Sequence, residues 1–122
     1  MAERFLYWEQ VEEIKQLKRE GRFREAFDLL SRCREAVTME ALYPHEEDGY
    51  MRAPATPAPW YWWESAVILR RLGDRRAERA ILEDFEALKI RHLRATNGEA
   101  VFIGSMFPKI QERLDKMREQ DG

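Results

Sequence analysis

The sequence predicts an all-α domain: two antiparallel helical hairpins, a long proline-rich insertion between them and a C-terminal capping helix. Three observations carry this expectation. Apolar residues recur at helical spacing through most of the chain. The pairs Gly21-Arg22 and Gly73-Asp74 interrupt that spacing in the same manner, as glycine does where a helix must end. The pattern fails for long only over residues 42–59, where the prolines gather. A chain of 122 residues is expected to form one domain around a single modest core, divided into 3–41, 42–58, 59–93 and 94–122.

The first helix is predicted over residues 3–20, with Leu6, Tyr7, Val11, Ile14 and Leu17 on one arc. Lys18 falls on that arc, where its stem can pack while the ammonium reaches water and the last carbonyls. Phe5 and Trp8 lie off or at the edge of it. The second helix, 23–41, carries the cleanest stripe: Ala26, Phe27, Leu29, Leu30, Cys33, Ala36 and Val37. So short a turn between two helices implies antiparallel packing.

Tyr43-Pro44 ends the second helix, since a proline disfavours helical geometry in the residue before it. The run from His45 to Gly49 reads as an acidic turn, and the prolines beyond it favour extended chain. Tyr43, Tyr50 and Met51 are the anchors that could pack this connection on the surface.

The third helix is predicted over 59–72, with Pro59 in its first turn. Its central arc is Trp62, Ser65, Ala66, Leu69 and Leu72, widened by Tyr61 and Ile68. The fourth, 75–93, is expected to bury Ala77, Ala80, Ile81, Phe85 and Leu88, leaving Leu82 and Leu93 for a second surface. Ala95-Thr96-Asn97-Gly98 is a turn signal, and 100–103 is too short to assign. A last helix over 108–119 has the stripe Phe107, Ile110, Leu114 and Met117.

Composition excludes several function classes. A formal charge of −2 gives no global attraction for nucleic acid or anionic lipid. No apolar run approaches a membrane span, and the mixed charges at the start are unlike a signal peptide. The lone Cys33 fits a reducing, cytoplasmic setting. No nucleophile has a histidine in its sequence context, no Cys/His spacing suits a metal, and no glycine-rich phosphate cradle is present. A non-enzymatic protein without cofactor or metal is the expectation.

Aligned on their glycines, the two hairpins place Ile14, Leu17, Ala26, Leu30 and Cys33 against Trp62, Ala66, Leu69, Ala77 or Glu78, Leu82 and Phe85. This large–small–large order resembles the tetratricopeptide repeat, with departures at Gln10 and Glu78 and a spacing lengthened by the proline loop. A second resemblance covers residues 23–86. The runs C-R-E-A-V-T-M-E-A, P-A-P-W-Y-W and A-V-I-L-R-R-L-G-D-R-R-A-E-R-A-I-L-E-D-F are similar to an uncharacterised bacterial and phage family of small helical proteins, also found beside HIRAN domains. The matching positions are Cys33, Ala36, Glu40, Ala41, Pro59, Tyr61, Ala66, Arg70, Arg71, Asp74, Glu78, Ala80, Leu82 and Glu83, while Val37, Leu69 and Arg75 depart. The resemblance implies helical repeats and no known activity.

The aromatic run is the functional candidate. Trp62 belongs to the core arc, but helical geometry turns Trp60 and Trp63 away from its centre. Either the proline loop covers them, which is favoured, or they stand open as anchors. Tryptophan, tyrosine and arginine are the residues enriched at interface hot spots. The expected function is therefore binding of a protein or peptide, with Trp60 and Trp63 as anchors, Arg70 and Arg71 reading acidic groups, and Tyr43 and Tyr50 contributing. The alternatives are nucleic-acid binding through the cluster Arg70, Arg71, Arg75, Arg76 and Arg79, and a homodimer joined by off-stripe aromatics.

Overall fold

Two helix ends are built identically on glycine. Gly21 and Gly73 take φ of +75° and +77°, a left-handed conformation that costs other residues energy. At the first, Gly21 N–H reaches Lys18 O and Arg22 N–H reaches Leu17 O. At the second, Gly73 N–H reaches Arg70 O and Asp74 N–H reaches Leu69 O. Each end thus satisfies carbonyls that a helix C-terminus leaves open. Asp74 then starts the next helix, its side chain accepting from Ala77 N–H at 3.0 Å.

The computed structural model describes residues 4–121. Among these are helices α1 (Val11–Arg19), α2 (Phe23–Leu42), α3 (Trp60–Arg71), α4 (Arg75–Ala95) and α5 (Met106–Asp121). A 3-10 turn, Tyr7–Gln10, precedes α1. The fold is mostly helical. Helix α2 packs on α1, α3 and α4; α4 also packs on α3 and α5. The pairs Trp62–Asp84 and Arg70–Glu78 set the start of α3 beside the middle of α4, and its end beside the start of α4. These two helices therefore run antiparallel.

The core is continuous from Ile14 and Leu17 through Ala26, Leu30 and Cys33 to Trp62, Ala66, Leu82 and Phe85, and on to Ile110, Leu114 and Met117. Phe85 lies 5.1 Å from Trp62 and 5.8 Å from Phe107, in the tilted arrangements that ring quadrupoles favour. Helix α5 buries Phe107, Ile110, Leu114 and Met117, the stripe its sequence predicts.

Several expectations are corrected. The first helix begins at Val11 rather than residue 3; residue 3 itself lies outside the described residues, as does Gly122. The 3-10 turn is held by side chains instead: Tyr7 OH donates to Glu40 at 2.7 Å, and Tyr61 OH donates to Tyr7 O at 3.3 Å. The connection after α2 is not free of regular structure. Strands β1 (His45–Glu47) and β2 (Tyr50–Arg52) pair antiparallel about Asp48 and Gly49, whose φ are +51° and +80°. Positive φ at both central residues is what a tight hairpin turn demands. Ala55 N–H bonds Glu40 O at 2.8 Å and Pro57 is buried, which fixes the rest of the connection.

Helix α4 is rolled relative to its predicted stripe. Glu78, Leu82, Phe85, Leu88 and His92 face inward, whereas Ala80 is exposed. A buried carboxylate and a buried imidazole, each with a partner, set that orientation. His92 Nδ1 donates to Ala41 O at 2.7 Å, since a carbonyl can only accept. Leu72, predicted inside, stands outside beyond the end of α3.

Candidate functional site

The outward face of α3 follows from its sequence. Trp60, Trp63, Val67 and Arg70 recur at three- and four-residue steps, on the side turned from Trp62, Ala66 and Leu69. Trp60 and Trp63 are half-buried and pack against the core edge. Trp60 meets Tyr61 edge to face at 5.1 Å.

Trp63 is covered by cations. Arg70 sits 5.7 Å from its ring centroid, and Lys109 of α5 sits 4.6 Å from it. A desolvated indole attracts such groups through its negative ring face. Beneath them lies Glu78, 1 % exposed. Its carboxylate accepts from Arg70 Nε at 3.1 Å and from Arg113 at 3.0 and 3.3 Å. Arg70, Lys109 and Arg113 thus converge where α3, α4 and α5 meet. Among the described residues Glu78 is the carboxylate that pairs with Arg70 and Arg113, and Lys109 has no ion pair. Three cations against one buried carboxylate leave this face with two positive charges in excess.

Arg71 is placed differently. Its guanidinium lies 4.7 Å over the ring of Phe23, in a groove with Lys18, Arg19 and Val67. Lys18 crosses to Glu64 at 2.9 Å, so its ammonium has a carboxylate partner on α3. Tyr43 and Tyr50 belong to neither place. Tyr43 follows α2 and Tyr50 opens β2, both exposed on the hairpin side of the molecule. The sequence-predicted residues therefore fall into three locations. Lys109, Arg113 and Glu78 were outside the predicted set. The signal for them was available: Glu78 is a charge at a position where the repeat pattern wants a small residue, and Lys109 and Arg113 are one helical turn apart.

The arginines after Gly73 are largely engaged. Arg75 Nε and Arg79 Nη1 each donate to the Asp121 carboxylate at 3.0 Å, and Arg79 also pairs with Glu83. Arg118 binds Glu86 through two hydrogen bonds, which hold that carboxyl below its ordinary range. A second groove, lined by Ser31, Arg34, Glu35, Thr38, Met39 and Asp84, contains an arginine whose Nε is buried with no acceptor among the described residues. Burial lowers the Arg34 pKa, yet Asp84 and Glu35 beside it oppose any anionic ligand.

Cys33 is enclosed, and burial pushes its thiol up to about 11. Among the described residues no group of His, Cys, Asp and Glu side chains is arranged to hold a metal ion, and no helix is long and apolar enough to cross a membrane. Compared with protein-family models, curated proteins and solved structures, the chain matches none.

Proposed function

We propose that this chain is a non-enzymatic, cytoplasmic binding module with tetratricopeptide-like stacking, and that it takes an acidic protein or peptide segment on the face between α3 and α5. One observation carries the reading: half-buried Trp63 lies under Arg70 and Lys109, beside Arg113, with a single buried carboxylate among them. Such a face offers cations held in place by an indole and a buried carboxylate yet still open to solvent at Arg70 and Lys109, a preorganised site for carboxylates. The family resemblance is compatible with an accessory or regulatory role in bacteria or phage. Trp60 widens the anchor, while Arg71, over Phe23 in its own groove, lies apart from it.

Nucleic acid ranks second. The pairing of Arg75 and Arg79 with Asp121 counts against it, because phosphate would have to displace a carboxylate held at both oxygens.

Affinity capture from the native host, with nuclease and salt controls, tests the proposal. A Trp60→Ala, Trp63→Ala variant, shown to be folded by circular dichroism, should lose the partners that the parent retains. Equal recovery by the two would refute anchoring here, and recovery abolished by nuclease would favour the second reading.

A further inference from the structure

The hairpin β1–β2 buries almost nothing of its own. Tyr50 and Met51 are 68 % and 71 % exposed, and Tyr43 beside them is 52 % exposed. Large apolar side chains on a three-residue strand pair are unusual without a partner, because so short a hairpin gains little stability alone. The same hairpin carries Glu46, Glu47 and Asp48 against one cation, Arg52, a net of two negative charges. The pleat sorts these groups: Glu47, Tyr50 and Arg52 share one face, as the Arg52–Glu47 contact at 3.9 Å and the Arg52 stack on Tyr50 at 5.9 Å require. Glu46 and Met51 share the other.

The opposite combination exists elsewhere on the molecule. The α3/α5 face presents an indole, three cations and an excess of two positive charges. Among the described residues no ion pair joins Glu46, Glu47 or Asp48 to Arg70, Lys109 or Arg113, so neither patch neutralises the other within one chain.

We propose that the hairpin His45–Arg52 of one copy docks on the Trp63–Arg70–Lys109 face of a second copy. The proposal rests on the reading of that face as a site for acidic segments, and it names the segment. Tyr50 would lie against Trp63 and its cations, while Glu47 beside it and Asp48 in the turn meet Lys109 and Arg113. The two patches differ, so the contact is head-to-tail and leaves a free patch at each end of a dimer, from which a chain of copies can grow. Its small area implies association that is weak and strongly salt-dependent.

Sedimentation of the full chain over a concentration series, at low and high salt, reads this directly. The parent should show a mass that rises with concentration and falls with salt. A hairpin variant (Glu47→Gln, Asp48→Asn, Tyr50→Ser) and a face variant (Lys109→Glu) should each self-associate at least about tenfold more weakly. Asn keeps the left-handed turn at position 48, and Lys109 is exposed, so both variants should fold; Lys109→Gln substitutes if the charge reversal does not. An equimolar mixture of the two variants retains one intact contact and should form a two-chain complex and nothing larger. A parent monomeric at every concentration, variants that associate like the parent, or a mixture that stays monomeric would each overturn the proposal. A symmetric dimer, in which one patch meets itself, is not restored by mixing. If the parent is monomeric but a free acidic peptide still binds it, self-docking fails while the acidic-segment site stands; if neither binds, both fail.

Discussion

Glu78 shows how one buried charge organises its surroundings. Its carboxylate is enclosed but its two arginines are partly exposed, so either arginine can compensate for loss of the other. Arg70→Ala or Arg113→Ala alone should cost about 1 kcal/mol in urea unfolding. The double variant should cost about 3–5 kcal/mol, because it leaves an unpaired charge in the interior. A cycle showing strict additivity would mean that the two pairs act independently. Cys33 makes a simpler case. With its thiol enclosed and shifted up to about 11, it should resist alkylating reagents at neutral pH and react at the rate of global opening. Glu78 was legible only as an anomaly in a pattern. Its partners come from α3 and α5, which periodicity within α4 cannot supply.

At the scale of elements, legibility followed the simplicity of each stripe. Helix α5 buries the stripe its spacing selects, α2 buries Ala26, Leu30, Cys33 and Val37 of its stripe with Phe27, Leu29 and Ala36 half-buried at the edge, and both glycine turns lie where the sequence puts them. Helix α4 does not follow, because Glu78 and His92 are inward polar residues satisfied by partners far along the chain. The hairpin has one local signal, Asp48-Gly49, but His45-Glu46-Glu47 lacks the apolar alternation that marks a strand, so the turn reads only as part of an acidic run. The cap at Asp74 carries its own expectation. Asp74→Ala removes the acceptor for Ala77 N–H and should lower unfolding free energy by about 1 kcal/mol, whereas Asp74→Asn should be nearly neutral.

For the whole molecule, buried acids that must stay neutral set the alkaline limit of stability. Burial raises Cys33 from 9.0 to about 11 and Tyr61 from 10.0 to about 12; burial and the Glu40 hydrogen bond raise Tyr7 as well. Above pH 9 the folded chain therefore holds more protons than the unfolded one, so stability is full below that pH and declines as pH rises toward 12. At the acid end, Glu86 lies below its ordinary range through the Arg118 hydrogen bonds, so its contribution is lost as pH falls through the lowered value. Thermal unfolding across pH should show both declines. The helical architecture could be read from local spacing, but the α3/α5 face could not, because Trp63 and Lys109 are 46 positions apart and only the stacking of α5 brings them together. The most direct measurement of that face is the affinity of a labelled acidic, tyrosine-containing peptide for the parent and for Lys109→Glu at low salt. Binding should weaken at least about tenfold in the variant and fade with added salt; equal affinity for both proteins would mean that acidic segments do not dock on this face.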